Sequence, residues 1–246
     1  MRIKKREEVT PQVIFEDRDL LVINKPSGWI VNDATTTNGQ PTVQYWLKKN
    51  FEYPVANVGH LRSGIAHRLD KETTGVLLVA KTKEYFEYLQ KLFKERKVEK
   101  SYVALLHGRL ETKEGIVEAE VGRLPWNKRR FGVLPGGRHS KTRYKVQEYF
   151  KKGGVWFSLV DFYPETGRTH QIRIHAKHIG HPIVGDEFYA GRKTSRRDRV
   201  WCHRLFLHAK CISFKNLKGY TVEYTSQLPG ELQDVLDVLE KVTASK

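Results

Sequence analysis

The stretch His67-Arg68-Leu69-Asp70-Lys71-Glu72-Thr73-Thr74-Gly75, followed at once by Val76-Leu77-Leu78-Val79-Ala80, decides how the rest of the chain is read. The aliphatic run between Gly75 and Lys81 has the length and β-branched content of a buried strand. The polar residues before it therefore form a loop delivered to the strand's edge. Reactive groups are commonly carried on loops that a rigid element holds. In this loop Asp70 stands between two cations, Arg68 and Lys71, which favour its ionised, acceptor-only form. Such a carboxylate suits a nucleophile or a base, and equally an ordinary turn, where aspartate is common. The local pattern leaves both open.

Working outward, 246 residues suffice for one well-cored domain, or one domain with an appended lobe. The formal net charge of +16, from 44 Lys and Arg against 28 Asp and Glu, points to a polyanion as partner, and nucleic acid is the commonest. A basic chain that is merely soluble is the bland alternative. Two cysteines, Cys202 and Cys211, build no disulfide framework and fit a reducing cytoplasm. No apolar run approaches membrane-spanning length, and none follows the charged N-terminus, so a cytoplasmic chain with no membrane partner is expected.

Residues 1–12 read as a frayed basic arm and 13–246 as one domain. Short strands are predicted at 13–16 and 20–24, with the second stopped by Lys25-Pro26-Ser27-Gly28; Lys25 is a candidate to face a polyanion. Helices are predicted at 42–51, 81–97, 169–179 and 229–242, with Thr169 as N-cap of the third. Strands are predicted at 102–106, 116–121, 141–150, 155–162, 205–214 and 220–224. Many strands with interspersed helices argue for α+β with a mixed or antiparallel sheet. Residues 122–140 look like neither helix nor strand. There Lys128, Arg129 and Arg130 lie between Trp126 and Phe131, a mixture that suits phosphate contact with base stacking, and the rival reading is a twisted hairpin with a solvated tip. The run Arg192-Lys193-Thr194-Ser195-Arg196-Arg197-Asp198-Arg199 reads as an exposed basic loop able to neutralise phosphates.

Histidines and cysteines cluster at 170–181 and 202–211, but neither group has a zinc spacing, so no metal is expected. Neither a phosphate-binding glycine loop nor a dinucleotide fingerprint occurs, so no nucleotide cofactor is expected.

The 67–80 stretch resembles the central motif of the RluA family of RNA pseudouridine synthases, usually HRLDxxTSG before a hydrophobic strand; Thr74 stands here for the usual Ser. Three more stretches match in order: Asn24-Lys25-Pro26-Ser27-Gly28, Lys100-Ser101-Tyr102-Val103-Ala104, and Gly167-Arg168-Thr169-His170-Gln171-Ile172-Arg173-Ile174-His175-Ala176. The resemblance implies the pseudouridine synthase fold, a bent sheet with flanking helices and a basic central cleft, in a stand-alone catalytic domain without an S4-type module. It implies isomerisation of uridine in ribosomal or transfer RNA, without cofactor, on a flipped-out base. Asp70 is then the catalytic carboxylate, Tyr102 the ring that meets the uracil, and Arg168 the cation paired with Asp70. Arg68 stacks where the flipped base was. Arg173 is a phosphate ligand or a structural ion pair, His67 a hydrogen-bonding scaffold residue, and 122–140 a projecting loop that grips RNA. A monomer is expected. The rivals are an inactive RNA-binding module and a basic structural protein of the ribosome.

Overall fold

The structure, a computed structural model, describes residues 9–37 and 39–242, with the backbone alone at 128 and 129. Most of the basic arm expected at 1–12 lies outside the described residues. The chain divides into two compact units, Met1–Gln90 and Lys91–Lys246.

In the first unit, strands β1 (Gln12–Glu16), β2 (Leu20–Lys25) and β3 (Thr74–Ala80) pair antiparallel in that order. The Asp17 carboxylate accepts the backbone N–H groups of Asp19 at 2.8 Å and Leu20 at 2.7 Å, which closes the turn between the first two. All of β3 and nearly all of β2 are buried, which is why both read as continuous aliphatic runs. Helix α1 (Val43–Asn50) starts where the Thr42 hydroxyl accepts the N–H of Tyr45 at 3.1 Å, and it buries Val43 and Leu47. Helix α2 (Lys83–Lys94) continues from the first unit into the second.

The second unit is a larger antiparallel sheet of β4 (Glu99–His107), β5 (Glu114–Leu124), β6 (Asn127–Val133), β7 (Arg138–Lys152), β8 (Val155–Pro164), β9 (Leu207–Lys215) and β10 (Thr221–Thr225), in the order β10-β9-β4-β8-β7-β5-β6. Helices α3 (Gln171–His178), α4 (Arg192–Asp198) and α5 (Gly230–Asp237) accompany it. The core gathers Leu105, Leu106, Phe157, Val160, Phe162, Phe206 and Leu232. The expected α+β class with an antiparallel sheet is what the chain adopts.

Four elements differ from expectation. Residues 122–140 are mostly strand: β5, β6 and β7 form a meander whose Trp126 tip is 78% exposed, so the twisted-hairpin reading holds. Its glycines mislead because Gly122 and Gly132 are cross-strand partners. A Cβ at Gly132 would fall 2.9 Å from the Leu124 side chain, and one at Gly122 3.0 Å from Leu134, so each glycine makes room for a leucine. The basic run after Gly191 is helix α4, not a loop. Helix α5 stops at Asp237, and Glu240–Val242 forms β11 against β7. Finally, α3 starts at Gln171, with His170 in a left-handed conformation (φ 55°) at its N-cap in place of Thr169. It ends in a Schellman turn: Gly180 (φ 83°) donates to Lys177 at 3.0 Å and His181 to Ala176 at 2.9 Å.

Candidate functional site

Asp70 lies half-buried on the loop that enters β3. Two anchors fix that approach: Ile65 bridges Val79, and the N–H of Leu78 donates to His67 Nε2 at 2.9 Å. His67 is the scaffold residue the motif suggests. The turn closes when the N–H of Thr73 donates to the Asp70 carbonyl at 3.1 Å. A second turn then grips this one. Gly28 N–H donates to the Lys71 carbonyl at 2.9 Å, and Ser27 Oγ to that of Glu72 at 3.2 Å. Lys25 Nζ donates to the carbonyls of Lys71 at 3.0 Å, Pro26 at 3.0 Å and Trp29 at 2.9 Å.

These bonds correct the reading of Lys25. Its side chain is 0% exposed, so it does not face RNA. A buried ammonium is tolerated only when hydrogen-bonded, and here the acceptors are carbonyls of the turn it belongs to and of the Asp70 turn. Lys25 is a positioning residue, and the 24–28 motif is the clamp on the 67–75 motif. A partner 46 positions away leaves no local sequence signal. Arg68, two residues before Asp70, is exposed.

In the second unit, Tyr102 is central in the sheet, between Phe162 of β8 and Ala209 of β9. Its ring packs half-buried against the main core. The register passes from Ser101 opposite Cys211 to Tyr102 opposite Ala209, which leaves Lys210 as a bulge beside it. Bulges of this kind re-aim side chains and collect near functional sites. Two residues earlier, on the same face of β4, burial drives the Lys100 ammonium down to about 8. The motif quoted for Tyr102 contains Lys100, but only burial reveals it as a group able to exchange a proton near neutral pH.

Arg168 sits on the turn between β8 and α3. Gln171 organises this turn: its Oε1 accepts from the Arg168 N–H at 2.9 Å and the Thr166 hydroxyl at 2.7 Å, while its Nε2 donates to the Lys141 carbonyl at 3.0 Å and the Thr142 hydroxyl at 2.9 Å. The half-buried guanidinium donates from Nε to the His139 carbonyl at 3.2 Å. Burial, then the charges of Arg138 and Arg96, push its pKa below the usual arginine range.

Arg173 is not a phosphate ligand. It is buried in a bidentate pair with Asp186, Nε to Oδ2 at 2.7 Å and Nη2 to Oδ1 at 2.9 Å. Asp186 also accepts the N–H groups of Phe188 and Tyr189, so the pair fastens α3 to the 186–189 turn. Of the three cations expected on the meander, Arg130 is exposed, with its guanidinium 5.9 Å from the Phe188 ring centre. The side chains of Lys128 and Arg129 lie outside the described residues. Among the described residues, no group of three or more His, Cys, Asp or Glu is placed to hold a metal ion, and no helix is long and apolar enough to cross a membrane.

The structure thus places Asp70 in the first unit and Tyr102 and Arg168 in the second, each on a braced element. Residues 19–178, which contain all three, match the family model for RNA pseudouridylate synthase. The chain belongs to that family, isomerases that convert uridine to pseudouridine in RNA. It is 33% identical to the chloroplastic RNA pseudouridine synthase 2 of Arabidopsis thaliana over 96% of this chain and 66% of that protein, so it spans just under two thirds of the relative's length. With the ribosomal large subunit pseudouridine synthase D of Nitrosomonas europaea it shares 36% identity, over 97% of this chain and 68% of that one. The solved human RNA pseudouridylate synthase domain containing 1 superposes with a TM-score of 0.76 at 28% identity, covering 100% of this chain and 94% of that one.

Proposed function

We propose that this protein isomerises particular uridines in structured RNA, ribosomal RNA first and transfer RNA second, with Asp70, Tyr102 and Arg168 acting together on one extruded nucleotide. Isomerisation breaks the N1–C1′ bond, turns the base and joins C5 to C1′. A proton leaves C5 and one arrives at N1, so the composition of the RNA is unchanged and no electrons are exchanged.

Asp70 acts on the ribose, by attack on carbon or by removal of a sugar proton. Tyr102 stacks on the uracil and serves the C5 proton. Arg168 is the cation that pairs with Asp70 in the reaction; its Nη nitrogens have no hydrogen-bond or ion-pair partner among the described residues. Arg68 occupies the gap in the stack. Residues 13–246 are the catalytic domain, the meander at 122–140 and α4 supply cations for the RNA backbone, and the protein acts as a cytoplasmic monomer. The observation that carries this reading is a half-buried carboxylate on a loop held by its own strand and by one further motif of the chain, 24–28, within the region that matches the family.

The test is tritium release from RNA labelled at uridine C5. Wild type should release tritium, and Asp70→Asn should lose at least about 10³-fold in rate while RNA affinity holds within a few-fold. No release by wild type from total ribosomal or transfer RNA would leave an RNA-binding module as the better reading. Arg168→Ala should lower turnover far more than affinity; equal losses would make Arg168 a phosphate contact.

A further inference from the structure

Helix α4 has two unlike sides. Ser195 and Asp198 are buried, and Asp198 Oδ2 accepts the N–H of Gly185 at 2.9 Å and lies 2.9 Å from His107 Nε2, which fastens the helix to the sheet. On the other side Arg192, Arg196 and Arg199 recur at helical spacing. With Arg130, Glu187 and Phe188 they line a groove of ≈ 470 Å³. Four guanidinium groups thus face one carboxylate, and Glu187 is already paired with Arg199. The guanidinium groups of Arg192 and Arg196 have no hydrogen-bond or ion-pair partner among the described residues. Like charges gathered in excess of their counter-charge repel one another, and the cost is relieved when an anion enters. Phe188 is 41% exposed, with Arg130 over its ring, so the groove also offers an aromatic surface.

Convergent cations beside an exposed ring, in a space of nucleotide size, match a single-stranded nucleotide: phosphates on arginines, base on the ring. We propose that this groove is a second RNA subsite, which holds an unpaired nucleotide other than the one isomerised. Arg192 and Arg196 take its phosphates, and Phe188 with Arg130 takes its base. The inference rests on RNA being the substrate, and it adds a place where sequence context is read.

The test uses the full chain and two fluorescent probes, a uridine hexamer and an abasic ribose–phosphate hexamer, titrated by anisotropy at two salt concentrations. Wild type should prefer the uridine probe. Phe188→Leu, which keeps apolar bulk beside His170 and Arg173 but removes the ring, should abolish that preference. The double variant R192A/R196A should bind both probes about tenfold more weakly, with a salt slope smaller by about 1.4, the share of two single-strand phosphates. Unaltered thermal unfolding establishes that the variants fold. Equal binding of the two probes by wild type, or an unchanged salt slope in R192A/R196A, overturns the proposal. So does displacement of the hexamer by inorganic phosphate beyond its ionic-strength effect, which would assign the groove to a free anion. Tritium release measured in parallel separates the two readings: release with unaltered hexamer binding in the variants sinks the subsite alone, whereas groove-dependent binding without release sinks the isomerase and leaves the subsite.

Discussion

The turn that carries Asp70 and the turn that carries Arg168 solve the same problem with opposite hardware. Each shows a half-buried charged side chain, and each is held by a buried side chain that bonds backbone. In the first unit the holder is the ammonium of Lys25, which only donates and therefore gathers carbonyls. In the second it is the amide of Gln171, which accepts from Arg168 N–H and Thr166 while donating to Lys141 and Thr142. The choice follows the backbone groups each turn presents: carbonyls call for a donor, and a mixture of N–H and C=O calls for an amide. At the second turn a neutral amide adds no charge to a site where burial, then Arg138 and Arg96, already disfavour the Arg168 cation.

The comparison fails most visibly if the buried side chains that fasten these turns, and helix α3 beyond the second, are replaceable. Arg173→Met should cost about 3–5 kcal/mol, because it leaves Asp186 buried and unpaired. Denaturant unfolding measures this, and the salt slope of RNA binding should stay at its wild-type value. A smaller slope at unchanged stability would restore Arg173 as a phosphate ligand. Lys25→Met should cost roughly 3 kcal/mol, since it strips a charged donor from buried carbonyls, and turnover should fall with it. Should Lys25→Met instead weaken RNA binding at full stability, the clamp is the wrong description. Gln171→Leu, near in volume, should cost about 2 kcal/mol and lower kcat by about tenfold or more through displacement of Arg168, with little change in affinity.

How much of this was legible beforehand follows from the reach of each signal. Strands β2 and β3 could be read because burial of nearly every residue leaves a continuous aliphatic run, and α1 because Thr42 and its apolar spacing act locally. The meander at 122–140 was opaque because glycines that make room for leucines look like glycines that break strands. Asp70, Tyr102 and Arg168 were legible only through ordered motifs that resemble a family; composition and periodicity alone left each with a plain structural reading. Lys25 was misjudged, and Arg173 was left between phosphate ligand and structural ion pair, of which the structure shows the ion pair, for one shared reason. A lysine or arginine in a basic chain reads as a surface cation until the structure shows the distant carbonyl or carboxylate that buries it.

The neutral scaffold beneath the Arg168 turn extends the comparison and gives it a pH window. His175 of α3 is fully buried, with Nε2 2.8 Å from Ser140 Oγ, and Ser140 lies between His139 and Lys141, which bond Arg168 and Gln171. Its Nδ1 is buried without a partner among the described residues, so a second ring proton has no acceptor. Burial, with a smaller push from the charge of His178, brings its pKa down to about 4. In the unfolded chain the same imidazole binds a proton below about 6.5. Between these values the unfolded state takes up a proton that the native state refuses, so stability falls as pH falls, by about 1.4 kcal/mol per pH unit. His208, buried against the Ser226 carbonyl and likewise lowered to about 4, adds a similar loss over the same window. His175→Gln should remove its share of the slope between about pH 6.5 and 4 and keep the bond to Ser140. Urea unfolding at stepped pH reads this directly, and a slope identical in wild type and variant would mean that the Arg168 turn does not rest on a neutral base.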